Sequence, residues 1–181
     1  MQRGTSLLGP KAPFSGLFVS RWFGAPPDFS LSTLRGRVIA LHTFQMLCPG
    51  CVSHGIPQAQ RLERVFEGAP LTVVGLHTVF EHHEAMTPTS LEAFLLEYRI
   101  THPVGVDAPS DGIPVPQTMS RLRLRGTPSL LLLDAEGNLR ASHFGRRDDL
   151  LVGAQIGALL SEAEASPTAE SCTPDGCVIR M

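Results

Sequence analysis

Apolar residues along the chain follow two kinds of pattern. Continuous runs of strand length occur at Val38–Phe44, at 71–80 ("LTVVGLHTVF") and at 128–134 ("PSLLLLD"). Runs this short, rich in branched aliphatics, read as strands buried on both faces. "HPVGVD" at 102–107 reads as a shorter strand. Between the first two runs the period changes. Ile56, Ala59, Leu62, Val65 and Phe66 fall near one helical face, which predicts a helix from Pro49 to Glu67, with Pro57 kinking its early turns. Leu91, Phe94, Leu95 and Tyr98 repeat in the same way behind a capping box of Thr89 and Glu92. "AEGN", around Gly137, turns a hairpin from "PSLLLLD" into "LRASHFG". Asp148 and Asp149 suit the start of a last helix running to about Glu162.

The remaining segments punctuate these elements. Residues 1–27 are rich in Gly and Pro and read as an irregular leader. Gly36 divides 28–44 into two strand-like pieces, and "APSDGIPVPQ" at 108–117 is a loop. "SRLRLRG" at 120–126 reads as the solvated side of a strand or loop. Residues 163–181 read as a flexible C-terminal tail. The order is strand, helix, strand, helix, strand, hairpin, helix. Alternating strands and helices imply parallel strands with right-handed crossovers, and the hairpin adds an antiparallel pair. The expected fold is α/β, a mixed central sheet flanked by helices, in one domain over 28–162.

Composition narrows the function. The chain has 181 residues and a formal net charge of −2, with no single-sign block, so it does not resemble a nucleic-acid binder. No segment has the length and apolarity of a membrane span. The N-terminus lacks a continuous apolar core of the signal-peptide kind, which predicts a cytoplasmic protein. A monomer is the expected oligomeric state. The four cysteines form two close pairs, Cys48/Cys51 and Cys172/Cys177. That distribution suits local chemistry better than a framework of staples.

The first pair sits where a strand hands over to a helix. Pro49 has no N–H to leave unpaired and fits a first helical position. The free backbone N–H groups of a helix start carry partial positive charge, which favours a thiolate. Cysteines so placed can have pKa values lowered to about 3.5–7.5 from about 8.5. The two-residue gap lets both sulfurs meet on the first turn. Cys48 is the expected attacker, and Cys51 the more buried partner that resolves a mixed disulfide.

Three stretches together carry a family resemblance. "LRGRVIALHTFQMLCPGC", "FLLEYRITHPVGVD" and "RLRGTPSLLLLDAEGNL" resemble the thioredoxin superfamily, and within it the TlpA-like and redoxin thiol–disulfide oxidoreductases. The match spans 28–162, and the middle stretch resembles the helix and strand inserted in TlpA-like proteins. The resemblance implies a thioredoxin-like fold and disulfide exchange with protein partners. It implies no cofactor beyond a redox-active disulfide, and an electron donor such as a thioredoxin or small thiol. It makes Pro128 the cis-proline, with Thr127 presenting backbone to an extended substrate. It places His42 where thioredoxins hold a buried acid that moves protons at the second cysteine, so His42 is a candidate shuttle or a satisfied core histidine. His54 falls near a glutamate of TlpA-like proteins and is a candidate acid–base helper or a solvent-facing residue. Leu47 stands where tryptophan is common.

Two rival functions remain open. Peroxiredoxins share the fold, but their Pro-x-x-x-Thr-x-x-Cys pattern meets Leu41 and Gln45 here, with the threonine displaced to Thr43. A zinc or copper module would use Cys48, Cys51 and a histidine from His54, His77, His82 or His83. Structural zinc sites supply a second matching ligand pair, which the spacing lacks. In the tail, Cys172 and Cys177 bracket the turn-forming "TPDG". About ten tail residues could span roughly 35 Å, so this dithiol is a candidate redox relay to Cys48 or an accessory feature.

Overall fold

The computed structural model describes residues 7–165 and the backbone of 172–173 and 176–177. Six strands form one sheet: β1 (Val19–Phe23), β2 (Val38–Phe44), β3 (Leu71–His77), β4 (Val104–Asp107), β5 (Ser129–Leu133) and β6 (Leu139–Phe144). Their spatial order is β1-β4-β3-β2-β5-β6. β2, β3 and β4 run parallel, while β5 and β6 are antiparallel, as the alternating pattern followed by a hairpin requires. Four helices connect them: α1 (Ile56–Val65), α2 (Pro88–Glu97), α3 (Gln117–Arg121) and α4 (Asp149–Ala165). Among the described residues no helix is long and apolar enough to cross a membrane.

Side chains of β2 alternate between the two faces of the sheet. Val38 and Ala40 join Ala59 and Leu62 of α1 and Val152, Ile156 and Leu159 of α4 in one cluster. Phe44 continues that row into a second cluster with Ile56, Leu91, Leu95 and Cys51. Ile39 and Leu41 point the other way, into a cluster with Val74, Leu76, Leu131 and Leu133. The cover on that second face comes from the N-terminal segment, including Phe14, Leu17 and Trp22.

The leader is therefore more ordered than its Gly and Pro content predicts. Its residues 19–23 form β1, which pairs antiparallel with β4. Upstream of β2, the first strand-like piece is a 3₁₀ turn at Leu31–Leu34. The cap of α2 is Thr87, whose hydroxyl accepts the N–H of Ser90 at 3.2 Å, rather than the Thr89/Glu92 box. Pro88 explains the shift, because its fixed φ and missing N–H fit the first helical position and put the cap one residue before it. The helix expected from Pro49 passes through a π-helical turn at Cys51–Gly55 before α1. Pro57 cannot donate to the carbonyl four residues back, and the wider turn absorbs that loss. Within the basic stretch, Ser120 and Arg121 end α3, and Leu122 and Leu124 pack on the second-face cluster.

Candidate active site

β2 ends at Phe44 in the middle of the sheet and delivers the next residues to its carboxyl edge. There the Cys48 N–H donates to the Gln45 carbonyl at 3.2 Å, and Cys48 accepts on its own carbonyl from Cys51 at 3.0 Å and Val52 at 3.1 Å. The first helical turn thus begins at Cys48. The Cys51 N–H also lies 3.3 Å from Cys48 Sγ. On its other side the Cys48 thiol donates to the Thr127 carbonyl at 3.5 Å. Both residues are free thiols; Cys48 is half-buried and Cys51 fully buried. Burial pushes the Cys51 thiol up to about 12, and its hydrogen bond with Cys48 adds to the rise, against smaller opposing effects of Thr127 and Gln45.

The Thr127–Pro128 peptide is cis. Pro128 packs against the cysteine turn so closely that two glycines are required there. A Cβ on Gly55 would lie 2.8 Å from Pro128 Cβ, and one on Gly50 would lie 3.3 Å from Pro128 Cδ. Neither glycine has a positive φ, so close approach rather than backbone freedom is what each supplies.

His42 lies on the helix side of β2, one step along the same face from Phe44, with the two rings stacked at 5.3 Å. Its Nε2 lies 2.7 Å from His102 Nε2, and His102 Nδ1 lies 2.9 Å from Glu63 Oε2. His42 Nδ1 is buried and has no partner among the described residues. Burial holds His42 well below the usual imidazole range, and His102 beside it adds to the effect. A cavity of about 590 Å³ is lined by His42, His54, Gly55, Pro128, Arg146 and Arg147 among others.

No family model matches the chain. A crystal structure of a thioredoxin-like superfamily protein superposes with a TM-score of 0.78 at 57% sequence identity, covering 83% of this chain and 96% of that one. The chain belongs to the thioredoxin-like superfamily. Another member, a thiol-disulfide isomerase from Corynebacterium glutamicum, superposes with a TM-score of 0.79 at 47% identity, over 83% of this chain and 97% of that one. Among curated proteins, DipZ of Mycobacterium tuberculosis is 24% identical over 148 residues, 81% of this chain. The chain spans 20% of the length of that protein.

Within this superfamily fold, Cys48, Cys51, Thr127 and Pro128 come together at one edge of the sheet. His42 sits deeper in the wall of the adjoining cavity, and His54 is exposed at its rim. Among the described residues no three His, Cys, Asp or Glu side chains converge as a metal cluster. His77 is buried against Phe44, with its pKa lowered by burial to about 4, whereas His83 reaches the Pro114 carbonyl at 3.2 Å on the surface. Cys172 and Cys177 face each other as backbone partners in a two-residue ribbon of β7 (Cys172–Thr173) and β8 (Gly176–Cys177). Their side chains, and with them the proposed relay contact, lie outside the described residues. Gly50, Gly55, His102 and Glu63 join the site without having been singled out in the sequence. The glycines had a local signal, since both flank the cysteine turn. Glu63 and His102 had none, being 39 residues apart, with His102 a further 60 from His42.

Proposed function

We propose that the protein is a thiol–disulfide oxidoreductase that exchanges disulfides with protein partners. Cys48 attacks a substrate disulfide, and its sulfur bonds to one substrate sulfur while the other leaves as a thiolate. Cys51 then loses its proton and bonds to Cys48, which releases the second substrate thiolate. The substrate is reduced by two electrons and the cysteine pair oxidised by two. An electron donor such as a thioredoxin or a small thiol restores the dithiol, and the reverse cycle oxidises a partner. The observation that carries this reading is the placement of Cys48 Sγ between the Cys51 N–H and the Thr127 carbonyl, with Cys51 buried beneath. The N–H stabilises negative charge on the attacking sulfur, and Thr127 offers backbone for an extended substrate to pair with. Likeness to the Corynebacterium thiol-disulfide isomerase supports the same reading.

The C-terminal pair Cys172/Cys177 acts in this proposal as a tethered dithiol that trades electrons with Cys48 in a cytoplasmic setting. A peroxiredoxin-like role is less well supported. Gln45, at the family's threonine position, uses its side-chain oxygen to accept the Phe80 N–H at 3.2 Å and offers no hydroxyl.

Cys48→Ser is expected to cut turnover of a protein disulfide by at least about a thousandfold. Cys51→Ser is expected to accumulate a mixed disulfide that the wild type clears. Exchange that persists in Cys48→Ser overturns the reading, and peroxide consumption without disulfide exchange replaces it with the peroxidase.

A further inference from the structure

The last helix keeps an apolar face turned to solvent. From Leu150 to Ser161, α4 carries no charged side chain. Its inner side, Val152, Gln155, Ile156 and Leu159, is buried in the core. A helix that covers one side of a sheet is expected to be polar or charged on its other side. Here Leu150 is 84% exposed and Leu151 38%. Leu7, whose carbonyl accepts from the Gln155 side chain one turn along, adds a third exposed leucine.

Two glycines interrupt the same stretch. Neither Gly153 nor Gly157 has a positive φ, and a Cβ on either would meet nothing within 4 Å. Nothing inside the chain asks for glycine there, and each weakens the helix relative to alanine. What a bare helical glycine offers is room for a second backbone to come close. Leu150, Ala154, Gly157 and Ser161 recur at spacings of four, three and four, the spacing of a seam between two helices. That row lies opposite the buried side.

We propose that two copies of the chain pair through this face of α4, antiparallel about a two-fold axis, in place of the monomer expected from the sequence. Each copy's C-terminal dithiol then serves the cysteine pair of the other; this half rests on the tethered-dithiol reading above. An axis through the middle of the seam sets Leu150 against the partner's Ser161 and Ala154 against the partner's Gly157, so larger side chains meet smaller ones. The same register sets Arg147 against the partner's Glu164, an opposite-charge pair that symmetry repeats. It also sets Arg146 against the partner's Ala165, where α4 ends. Arg146 lines the cavity together with Pro128, and the Thr127 carbonyl just before that proline accepts the Cys48 thiol.

The length of the tail favours a crossed arrangement. α4 spans about 24 Å. Seven residues lead from Ala165 to Cys172, about 24 Å when fully extended. Within one chain the dithiol has to retrace the whole helix without slack and then still cross to Cys48. From the partner, the same seven residues start beside the cavity, with length to spare. Electrons then move in two exchanges. One tail thiolate attacks Cys48 Sγ of the oxidised pair, since Cys51 has no exposure, and Cys51 leaves as a thiolate and takes up a proton. The other tail thiol loses its proton, bonds to the first tail sulfur and releases Cys48 as a thiolate. Cys172 and Cys177, backbone partners in their ribbon, thereby close a disulfide. The core pair has gained two electrons and the tail has lost two, and the thioredoxin or small-thiol donor reduces the tail again.

Sedimentation of the full chain reads the pairing. A single helix seam is a small interface, so the measurement is made at about 100 µM. The wild type is expected to be a dimer, and Leu150→Glu and Gly157→Leu each to weaken it at least about tenfold. Leu150 is exposed and a Cβ at Gly157 meets nothing within the chain, so neither change disturbs the fold, which circular dichroism checks. A monomeric wild type overturns the proposal, as does a dimer that neither variant weakens. The crossing is read in Cys51→Ser/Cys177→Ser, which keeps Cys48 and Cys172 alone, after oxidation with diamide and peptide mapping. A Cys48–Cys172 bond between two chains is expected, forming at least about tenfold more slowly once Leu150→Glu is added. That bond closed within single chains, or absent, overturns the crossed dithiol. Disulfide exchange that persists in Cys48→Ser would instead sink the oxidoreductase reading and leave the pairing standing.

Discussion

The two faces of the central sheet are built to different ends. On one face, Ile39, Leu41, Val74, Leu76, Leu131 and Leu133 form an aliphatic cluster, and the buried carboxylate at its margin, Asp107, accepts from the Thr78 hydroxyl and the Thr118 and Met119 N–H groups. On the helix-covered face, Phe44 lies between His42 and His77, each ring centroid 5.3 Å from its own. One nitrogen of each histidine is buried without a partner among the described residues. A leucine in either place would satisfy packing at lower cost. One face therefore supplies rigidity, and the other gives up some stability to keep proton-binding groups next to a redox pair.

Cutting into the aliphatic face around Leu131 should cost the most stability and the least chemistry. Leu131→Ala, at a residue 1% exposed, is expected to lose about 2–5 kcal/mol in denaturant unfolding, with disulfide exchange per folded molecule unchanged. A parallel loss of exchange rate would mean the two faces are not separable.

Acid should act through the helix-covered face. His77 is held neutral when folded, with its pKa lowered to about 4, while the unfolded chain titrates near 6.5. Between those values the unfolded state binds more protons, so stability falls as pH falls, by about 3 kcal/mol from pH 6.5 to pH 4 for this group. His42 is lowered in the same direction and adds to the loss. His77→Leu is expected to flatten the pH dependence of unfolding over that window by its share. An unchanged slope would show that His77 is not the sensor.

The smallest expected effect tests the contact between the cysteine turn and Pro128. Gly55→Ala forces a Cβ to within 2.8 Å of Pro128 Cβ, so one of the two segments must move. Overpacking of this kind costs about 1–3 kcal/mol. If Thr127 docks an extended substrate as proposed, the displacement should lower the exchange rate with a protein disulfide more than with a small aryl disulfide. Equal effects on both substrates would argue against that docking role.

The parts of this architecture that are written locally were legible in the sequence. β2, β3 and β5 are apolar runs that admit one reading, and the parallel order follows from the helices between them. Cys48 and Cys51 were legible because a first helical turn brings together residues three apart without any help from the rest of the fold. β1 was not, since "VSRWF" is short, half-exposed and embedded in Gly and Pro, and only its pairing with β4 makes it a strand. The Thr87 cap was masked by a second Ser/Thr-to-Glu spacing two residues on. His102 looked like an ordinary residue ahead of Pro103. Its meaning depends on α1 and β2 arriving beside it, which no local spacing encodes.

The N-terminal segment reaches both ends of the sheet. Ala12 bonds to Leu139 in both directions on the β6 side, and β1 lies along β4 on the far side. A single stretch of chain thus covers part of the β6 margin and supplies the opposite margin strand, β1, itself. Open rims invite foreign strands to add themselves, as in amyloid growth. Here the N-terminal segment shields part of one rim, and the strand it leaves at the other rim is only five residues long.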